Sequence, residues 1–384
     1  MSSLDGSDSR AEPMMENEVW ILGGTGRSGR AITAELLSRG VSPVLAGRDA
    51  ARLKDAARPG GSRTVVAGSV DEIAAEIRRQ RPAVVINTIG PFTTTAVPIA
   101  RACLPGSDYI DLANDVAAVL ATLGLNGAAV DAGRTVVTGG GFGVTASESV
   151  VVTLCQGRPA PARVRVDMIP SLETEDGVIG EALAGTILDG LPGVTGGGRY
   201  EGRRYRGGRL VAARIGGEVT HLTLPDGARV TTASIPLGEL IAAQRASGAP
   251  SVVAASSEMP SSPVARVVMP LAIALLNVGP VRNFAKSRLA RVKLKARMRP
   301  RPYSWGHARV EWADGTAREG WLRVGDAQVF TGAVPAEVAR RLLAGEGREG
   351  AFTPAALFGP SLALACGGEY VIDDKDYQAA AGRP

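Results

Sequence analysis

The chain is poor in the residues from which several common functions are built. Aromatic residues make up 4% of its 384 positions, too few for the base-stacking platform of a single-stranded nucleic-acid binder. Its three cysteines, Cys103, Cys155 and Cys366, lie far apart without a CxxC pair. Neither a metal cluster nor a disulfide framework is therefore expected. The longest apolar stretch, between Arg266 and Arg282, is broken by Pro270, Asn277 and Pro280 and falls short of the ~18 residues a membrane span needs. The polar, acidic start from Met1 to Glu18 lacks the basic-then-apolar order of a signal peptide. It reads as a frayed tail over residues 1–17, and a cytoplasmic location is expected. No Ser/His/Asp set, HExxH or Walker A sequence is visible, so hydrolase and NTPase chemistry has no positive feature.

What is abundant is glycine, with 49 residues where average usage would give roughly 27. The glycines have no three-residue period, which excludes collagen and implies many tight turns. With 45% hydrophobic and 21% charged residues, the chain has the composition of a globular protein. Its length suggests two domains. The net charge of +5 is local in origin, because residues 282–301 carry nine Lys or Arg and no acid. The rest of the chain is net acidic.

Short apolar runs alternate with helical patterns over the first third. Strands are predicted at Val19–Leu22, Pro43–Ala46, Thr64–Ala67, Ala83–Asn87, Tyr109–Leu112 and Thr135–Thr138. Helices are predicted at Arg27–Arg39 and Ala50–Ala57, near 70–80, 94–103 and 114–123, and from Val144 to Cys155. This rhythm predicts a Rossmann-type α/β domain over 18–155 with a doubly wound parallel sheet. From about 160 the pattern becomes that of an α+β domain, over 156–350, with a mainly antiparallel sheet. Its strands are predicted at Arg163–Ile169, Val219–Leu224, Arg229–Ile235, His307–Trp312 and Gly320–Val324. Pro225-Asp226-Gly227 and Ala313-Asp314-Gly315 read as hairpin turns. Helices near 178–189, 236–247 and 334–344 are expected to cover one face, and the run from Gly196 to Arg209 reads as a mobile loop or irregular hairpin. Residues 351–384 are expected to form a helix returning to the first domain, followed by a tail.

Gly24-Thr25-Gly26-Arg27-Ser28-Gly29 is GxGxxG, placed after a strand and opening a helix at the start of a βαβ unit, the context that gives the motif meaning. Gly24 suits a tight turn, Gly26 a close backbone approach to a pyrophosphate, and Gly29 close helix–sheet packing. The helix N-terminus offers N–H groups to the phosphates. At the end of the second strand, where NAD enzymes place an acid, the chain has Gly47-Arg48-Asp49. Arg48 suits the 2′-phosphate of NADPH, and Asp49 suits an N-cap. Asn87-Thr88-Ile89-Gly90-Pro91-Phe92 ends another strand with a rigid turn. There Gly90 would admit the nicotinamide ribose and Phe92 would wall the ring.

These residues resemble the NADP-binding domain of the saccharopine-dehydrogenase-like reductases, a group that includes the bacterial trans-acting enoyl reductases. The resemblance rests on Ile21–Arg52, on Gly90-Pro91-Phe92 with Ala102-Cys103 and Tyr109-Ile110-Asp111-Leu112, on Gly141-Phe142-Gly143, and on Thr353-Pro354-Ala355 with Phe358-Gly359. It is dense over 18–155 and thin from 160 to 300. It implies NADPH in a cleft between a cofactor domain and a catalytic domain, and reduction of a C=C or C=N bond of a biosynthetic intermediate, small or carrier-bound. A saccharopine-type dehydrogenase acting on a secondary amine, with arginines aimed at carboxylates, and a non-catalytic NADP-binding sensor or scaffold stay open.

A proton donor is needed beside the hydride acceptor. Asp111 and Tyr109, at the carboxyl end of the fifth strand, are the catalytic candidates. His221, His307, Tyr205 and Tyr303 have no motif behind them. Arg291–Arg299 alternates basic and apolar residues, which predicts a strand with one basic face, although a helical stripe is also readable. That stretch is either a solvated face or a docking site for an acidic carrier protein or an anionic membrane. No nucleic acid is expected as a partner, and a homodimer stays open.

Overall fold

A computed structural model describes residues 17–173, 176–179, 184, 188, 202–260, 268, 271, 272, 275, 276 and 278–372. The expected tail and most of the helix expected near 178–189 lie outside the described residues.

The first sheet is parallel throughout. β1 (Val19–Leu22), β2 (Val44–Gly47), β3 (Thr64–Val66), β4 (Val84–Asn87), β5 (Asp108–Asp111) and β6 (Thr135–Val137) run in the order β3-β2-β1-β4-β5-β6, the doubly wound Rossmann order. β1 and β4 are buried along their whole length, as strands covered on both faces must be. The connecting helices are α1 (Arg27–Ser38), α2 (Ala50–Ala57), α3 (Val70–Gln80), α4 (Phe92–Cys103), α5 (Val116–Leu123) and α6 (Asn126–Asp131). Asp49, Ser69 and Asp115 cap α2, α3 and α5 by accepting from Arg52, Glu72 and Ala118 N–H groups.

α7 (Phe142–Cys155) leads from β6 into the second sheet and is buried on nearly every side. One core cluster runs from Ile21 and Ile86 through Val150 on α7 to Val166 and Ala308. The second sheet is assembled from β7 (Arg163–Ile169), β9 (Gly202–Arg206), β10 (Arg209–Ala213), β11 (Thr220–Thr223), β12 (Arg229–Ser234), β13 (Ser251–Ser256), β15 (Ser304–Glu311) and β16 (Ala317–Val324). β8 (Gly177–Val178) forms a separate ribbon with β14 (Lys293–Leu294). Among the described residues only β13 and β7 pair in parallel within the second sheet. Gly227 and Gly315 take positive φ at the two turns read from the sequence. Gly207 and Gly208, at φ 58° and 73°, close a two-residue β9–β10 hairpin, a geometry open to glycine pairs. The described part of the glycine- and arginine-rich run is thus a regular hairpin.

Three further expectations change. α8 (Gly238–Ser247) covers the second sheet against α7, but the helix expected at 334–344 is α10 (Ala327–Leu343), which lies along α1 of the first domain. Gly332 is the reason, because a Cβ there would come within 2.9 Å of the Ala31 Cβ. The C-terminal segment is not one helix. β17 (Gly350–Phe352) extends the first sheet beside β6, then come α11 (Pro354–Phe358) and α12 (Ser361–Ala365), and β18 (Glu369–Ile372) extends the second sheet beside β16. Finally, 291–299 is not an alternating strand. Among the described residues of this stretch, only Lys293–Leu294 forms a strand, with Arg297 in a lone bridge, and Val292 and Met298 are as open to solvent as their basic neighbours. The helical part of the basic stretch lies before it, in α9 (Gly279–Ala290).

Candidate active site

The strand order reverses between β1 and β4, and open α/β sheets bind ligands in the crevice beyond the carboxyl ends at such a point. On one side of it lies the glycine loop. Gly23 and Gly24 N–H groups both donate to the Ala46 carbonyl, at 2.8 and 3.3 Å, and Gly26 N donates back to Gly23 at 2.9 Å. The left-handed residue is Gly23, at φ 77°, one position ahead of the turn role expected for Gly24. Gly24 packs instead against Leu45, which a Cβ would meet at 3.0 Å. Gly29 is held where a Cβ would fall 2.4 Å from the Gly23 oxygen, so the helix can approach the loop only without a side chain there.

Gly26 differs from both. A Cβ on it would meet only the Gly23 oxygen, at 3.2 Å. It is exposed, and as N-cap of α1 it brings no side-chain cap to the first-turn N–H groups of Arg27, Ser28 and Gly29. The loop therefore presents an open cradle with a partial positive charge. Thr25 is tied through its carbonyl to Arg30, and the Ser28 hydroxyl accepts from Gln328 Nε2 on α10 at 3.3 Å. Arg48 is exposed just past β2, and Asp49 beside it is engaged as the α2 cap.

On the other side of the switch point, Thr88 Oγ1 donates to the Leu22 carbonyl at 2.7 Å, locking the ends of β4 and β1 together. Asn87 is fully buried, its Nδ2 donating to Tyr109 Oη at 3.1 Å and its Oδ1 accepting from Ile89 N at 2.9 Å. One N–H and one lone pair of its amide thus shape the turn. Gly90 and Pro91 are half-buried behind that turn. Phe92 points into the core with Ala96 and Ile99 and does not wall a ring.

The catalytic candidates Tyr109 and Asp111 are both 0% exposed, and Asp111 Oδ2 is buried without a hydrogen-bond partner among the described residues. Asp111 Oδ1 accepts from Thr138 Oγ1 at 2.8 Å, Ala113 N at 2.9 Å and Gly139 N at 3.1 Å, tying β5 to the chain leaving β6. Burial pushes its carboxyl up to about 6 against those bonds. Burial and the adjacent Asp111 carboxylate push the Tyr109 hydroxyl well above its ordinary range. They are the scaffold on which the carboxyl ends rest.

The ionisable group the sequence reading missed is Glu239, in the first turn of α8. Its Oε1 accepts from Asn114 Nδ2 at 3.3 Å, just beyond β5, and Asn114 in turn accepts from Gly238 N. A Cβ on Gly143, in the first turn of α7, would lie 2.0 Å from Oε1. Glu239 Oε2 is buried and has no hydrogen-bond partner among the described residues. Burial raises this carboxyl to about 7, opposed by its hydrogen bonds. The sequence does carry a signal, since Glu239 is the lone acid in the apolar run Ile235–Ala243. A second buried glutamate, Glu148 on α7, is also raised to about 7, but its carboxylate is filled by Thr353 Oγ1 and Ala355 N.

Neither histidine belongs to this region. His307 lies on β15 between Asp167, at 2.9 Å, and Glu319, at 3.0 Å, stacked on Trp321. Its neighbours Gly306 and Ala308 occupy the face toward α7, so His307 points away from it. His221 is exposed and bonded to Thr231. Tyr205 and Tyr303 are on or beside the second sheet. A cavity of about 320 Å³ opens beyond the carboxyl end of β7, among Pro170, Leu172, Ser257, Arg297 and Arg301. β7 itself reaches Gly143, where a Cβ would meet Met168 Sδ at 2.7 Å.

This two-sheet arrangement matches a solved structure, saccharopine dehydrogenase (L-Glu forming) from Saccharomyces cerevisiae. The match covers 93% of this chain and 100% of that one, with a TM-score of 0.57 and 13% sequence identity. The chain has the saccharopine dehydrogenase fold. No protein-family model matches it. It is a distant homologue of the trans-acting enoyl reductases of Mycobacterium tuberculosis and Mycobacterium bovis, 32% identical over 110 residues to each. That stretch is 26% of this chain and 26% of either relative, so it spans about a quarter of the curated proteins it matches. Among the described residues, no helix is long and apolar enough to cross a membrane.

Proposed function

We propose that the chain is an NADPH-dependent reductase acting on a C=C bond, with the dinucleotide across the β1–β4 switch point. The observation that carries this reading is the Gly23–Gly29 loop. Its uncapped helix start and open Gly26 face fit a pyrophosphate, while Gly29 is spent on packing. Arg48, exposed at the end of β2 without an acid at the strand's end, fits the 2′-phosphate that separates NADPH from NADH. The bound nicotinamide supplies the hydride. The protein supplies the binding cradle, the water-excluding cleft and a proton. Glu239 suits that last role, being an acid still protonated near neutral pH with one oxygen unclaimed at the carboxyl ends of β5 and β6. The trans-acting enoyl reductase relatives support an enoyl substrate, small or carrier-bound.

A second reading has its own observation. Arg297 and Arg301 line the cavity beyond β7, and Arg301 Nε is buried without a partner among the described residues. Two guanidinium groups there suit the carboxylates of an amino-acid-derived imine, as a saccharopine-type reaction would need.

Following NADPH oxidation with a crotonyl thioester and with the imine of 2-oxoglutarate and an amine separates the two. Turnover of the thioester alone supports enoyl reduction, and turnover of the imine alone supports the second reading. The Glu239→Gln variant should lose most turnover at neutral pH and, with it, the fall of turnover as the pH rises through about 7. An unchanged profile removes Glu239 as donor.

A further inference from the structure

We infer that the surface formed by α9, the β8–β14 ribbon and the turn up to Arg301 docks on an anionic phospholipid bilayer. The first observation is the outer face of α9. Arg282, Ala285, Lys286 and Leu289 are half-buried and Ala290 is buried, whereas Val281 and Phe284 stand in solvent, Phe284 at 62% exposure. A helix of a globular protein normally turns polar residues outward, not its bulky apolar ones.

The second observation is where the other exposed apolar side chains lie. Most of the large ones among the described residues fall between Val268 and Met298, including Leu271 at 65% and Met298 at 83%. Val178 on β8 adds to them through its pairing with Lys293. Scattered exposed apolar residues need no explanation, but a cluster does.

The third observation is charge. Arg288, Arg291, Lys293, Lys295, Arg297 and Arg299 are exposed within the same surface, and no acid occurs in the sequence between Glu258 and Glu311. Among the described residues, the acids that face it from elsewhere are Asp176, which accepts from Ala296 N, and Glu258, across the cavity from Arg297. Within the sequence from 282 to 301 itself the excess is nine positive charges.

Charge alone fits an acidic protein. Charge interleaved with bulky apolar side chains fits the lipid interface, where apolar groups enter the acyl boundary and Lys or Arg stems reach up to the phosphates. Either signal alone gives weak, reversible attachment, and the two together give stable docking. This surface does not involve the glycine loop, so the inference stands or falls apart from the reductase reading.

Flotation of the full chain with two kinds of vesicle tests it, one of phosphatidylcholine and phosphatidylglycerol in equal parts and one of phosphatidylcholine alone. The expected result is binding to the mixed vesicles, about ten-fold or more weaker to the neutral ones, and weakened by salt. Phe284→Ser with Met298→Ser should lose about ten-fold at unchanged charge. Arg291→Glu with Lys293→Glu should lose at least as much. All four side chains are exposed, so the thermal unfolding midpoint should not move. Absence of binding to the mixed vesicles overturns the inference, as does equal binding to both kinds. Undiminished binding by the apolar variant also overturns it, and assigns the surface to an acidic protein partner.

Discussion

The carboxylate of Glu239 occupies the space that a side chain on Gly143 would fill, with Oε1 only 2.0 Å from the position of a Cβ. Two helices that start about a hundred residues apart thus meet at a glycine and an acid. Gly143→Ala must displace both Glu239 and Met168, and overpacking of this kind costs about 1–3 kcal/mol. In a Glu239→Ala background the same change should cost less, because only the Met168 side chain is then left to shift. Urea unfolding of the four proteins in this cycle measures the coupling. Additive effects would mean that the two residues do not compete for one space.

Glu239 also makes a statement about pH. Its folded value, about 7, exceeds the ordinary value of 4.5, so the native chain holds this proton more tightly than the unfolded chain. The stabilisation is complete below the ordinary value and is lost as the pH rises through about 7. The loss reaches about 3 kcal/mol for a shift of this size. Glu239→Gln should therefore be more stable than the wild type at pH 8, and its stability should fall less between pH 5 and 8. Equal slopes in the two proteins would show that the group titrates normally.

The glycines of the loop should separate by function. Gly29→Ala places a Cβ 2.4 Å from the Gly23 oxygen and should destabilise the first domain by at least about 2 kcal/mol. Gly26→Val meets only the Gly23 oxygen, at 3.2 Å, and should lower the unfolding midpoint far less than Gly29→Ala while abolishing dinucleotide binding. Intact binding in Gly26→Val, measured by NADPH fluorescence, would reduce the loop to a turn.

His307 gives the opposite kind of test, one confined to stability. Burial lowers its imidazolium value, but its hydrogen bonds to Asp167 and Glu319 outweigh that and raise it. Its contribution is thus present below the ordinary histidine value and disappears as the pH rises through the raised one. His307→Gln should cost about 3 kcal/mol near pH 5 and progressively less toward alkaline pH. A cost that grows with pH would contradict the ion pairing.

The parts of this protein legible from the sequence are those specified by neighbours in the chain. β1, α2 and β7 fall at their predicted bounds because short apolar runs, the Asp49 cap and strict alternation are local signals. The two hairpin turns are legible because glycine follows aspartate at a φ that favours it. Contacts made across the chain are not legible. Tyr109 and Asp111 stand at the carboxyl end of a strand, as catalytic groups do, yet Asn87 and Thr138 close over them. Phe92 could turn toward the cleft or the core, and only the face that α4 buries, shared with Ala96 and Ile99, decides. Glu239 is hidden as a polar residue in an apolar helix start until α7 brings Gly143 against it. The α10 helix looks like cover for the second sheet until Gly332 and Ala31 place it on α1.

The central claim is that the glycine loop and Arg48 hold NADPH, and direct titration tests it. NADPH and NADH should be titrated into the wild type and Arg48→Ala by isothermal calorimetry at matched salt. The account predicts NADPH binding tighter than NADH by roughly ten- to a hundred-fold, the weight of a charge-assisted phosphate contact, with Arg48→Ala erasing that preference and leaving NADH binding unchanged. Tighter binding of NADH by the wild type, or no binding of either dinucleotide, would contradict it.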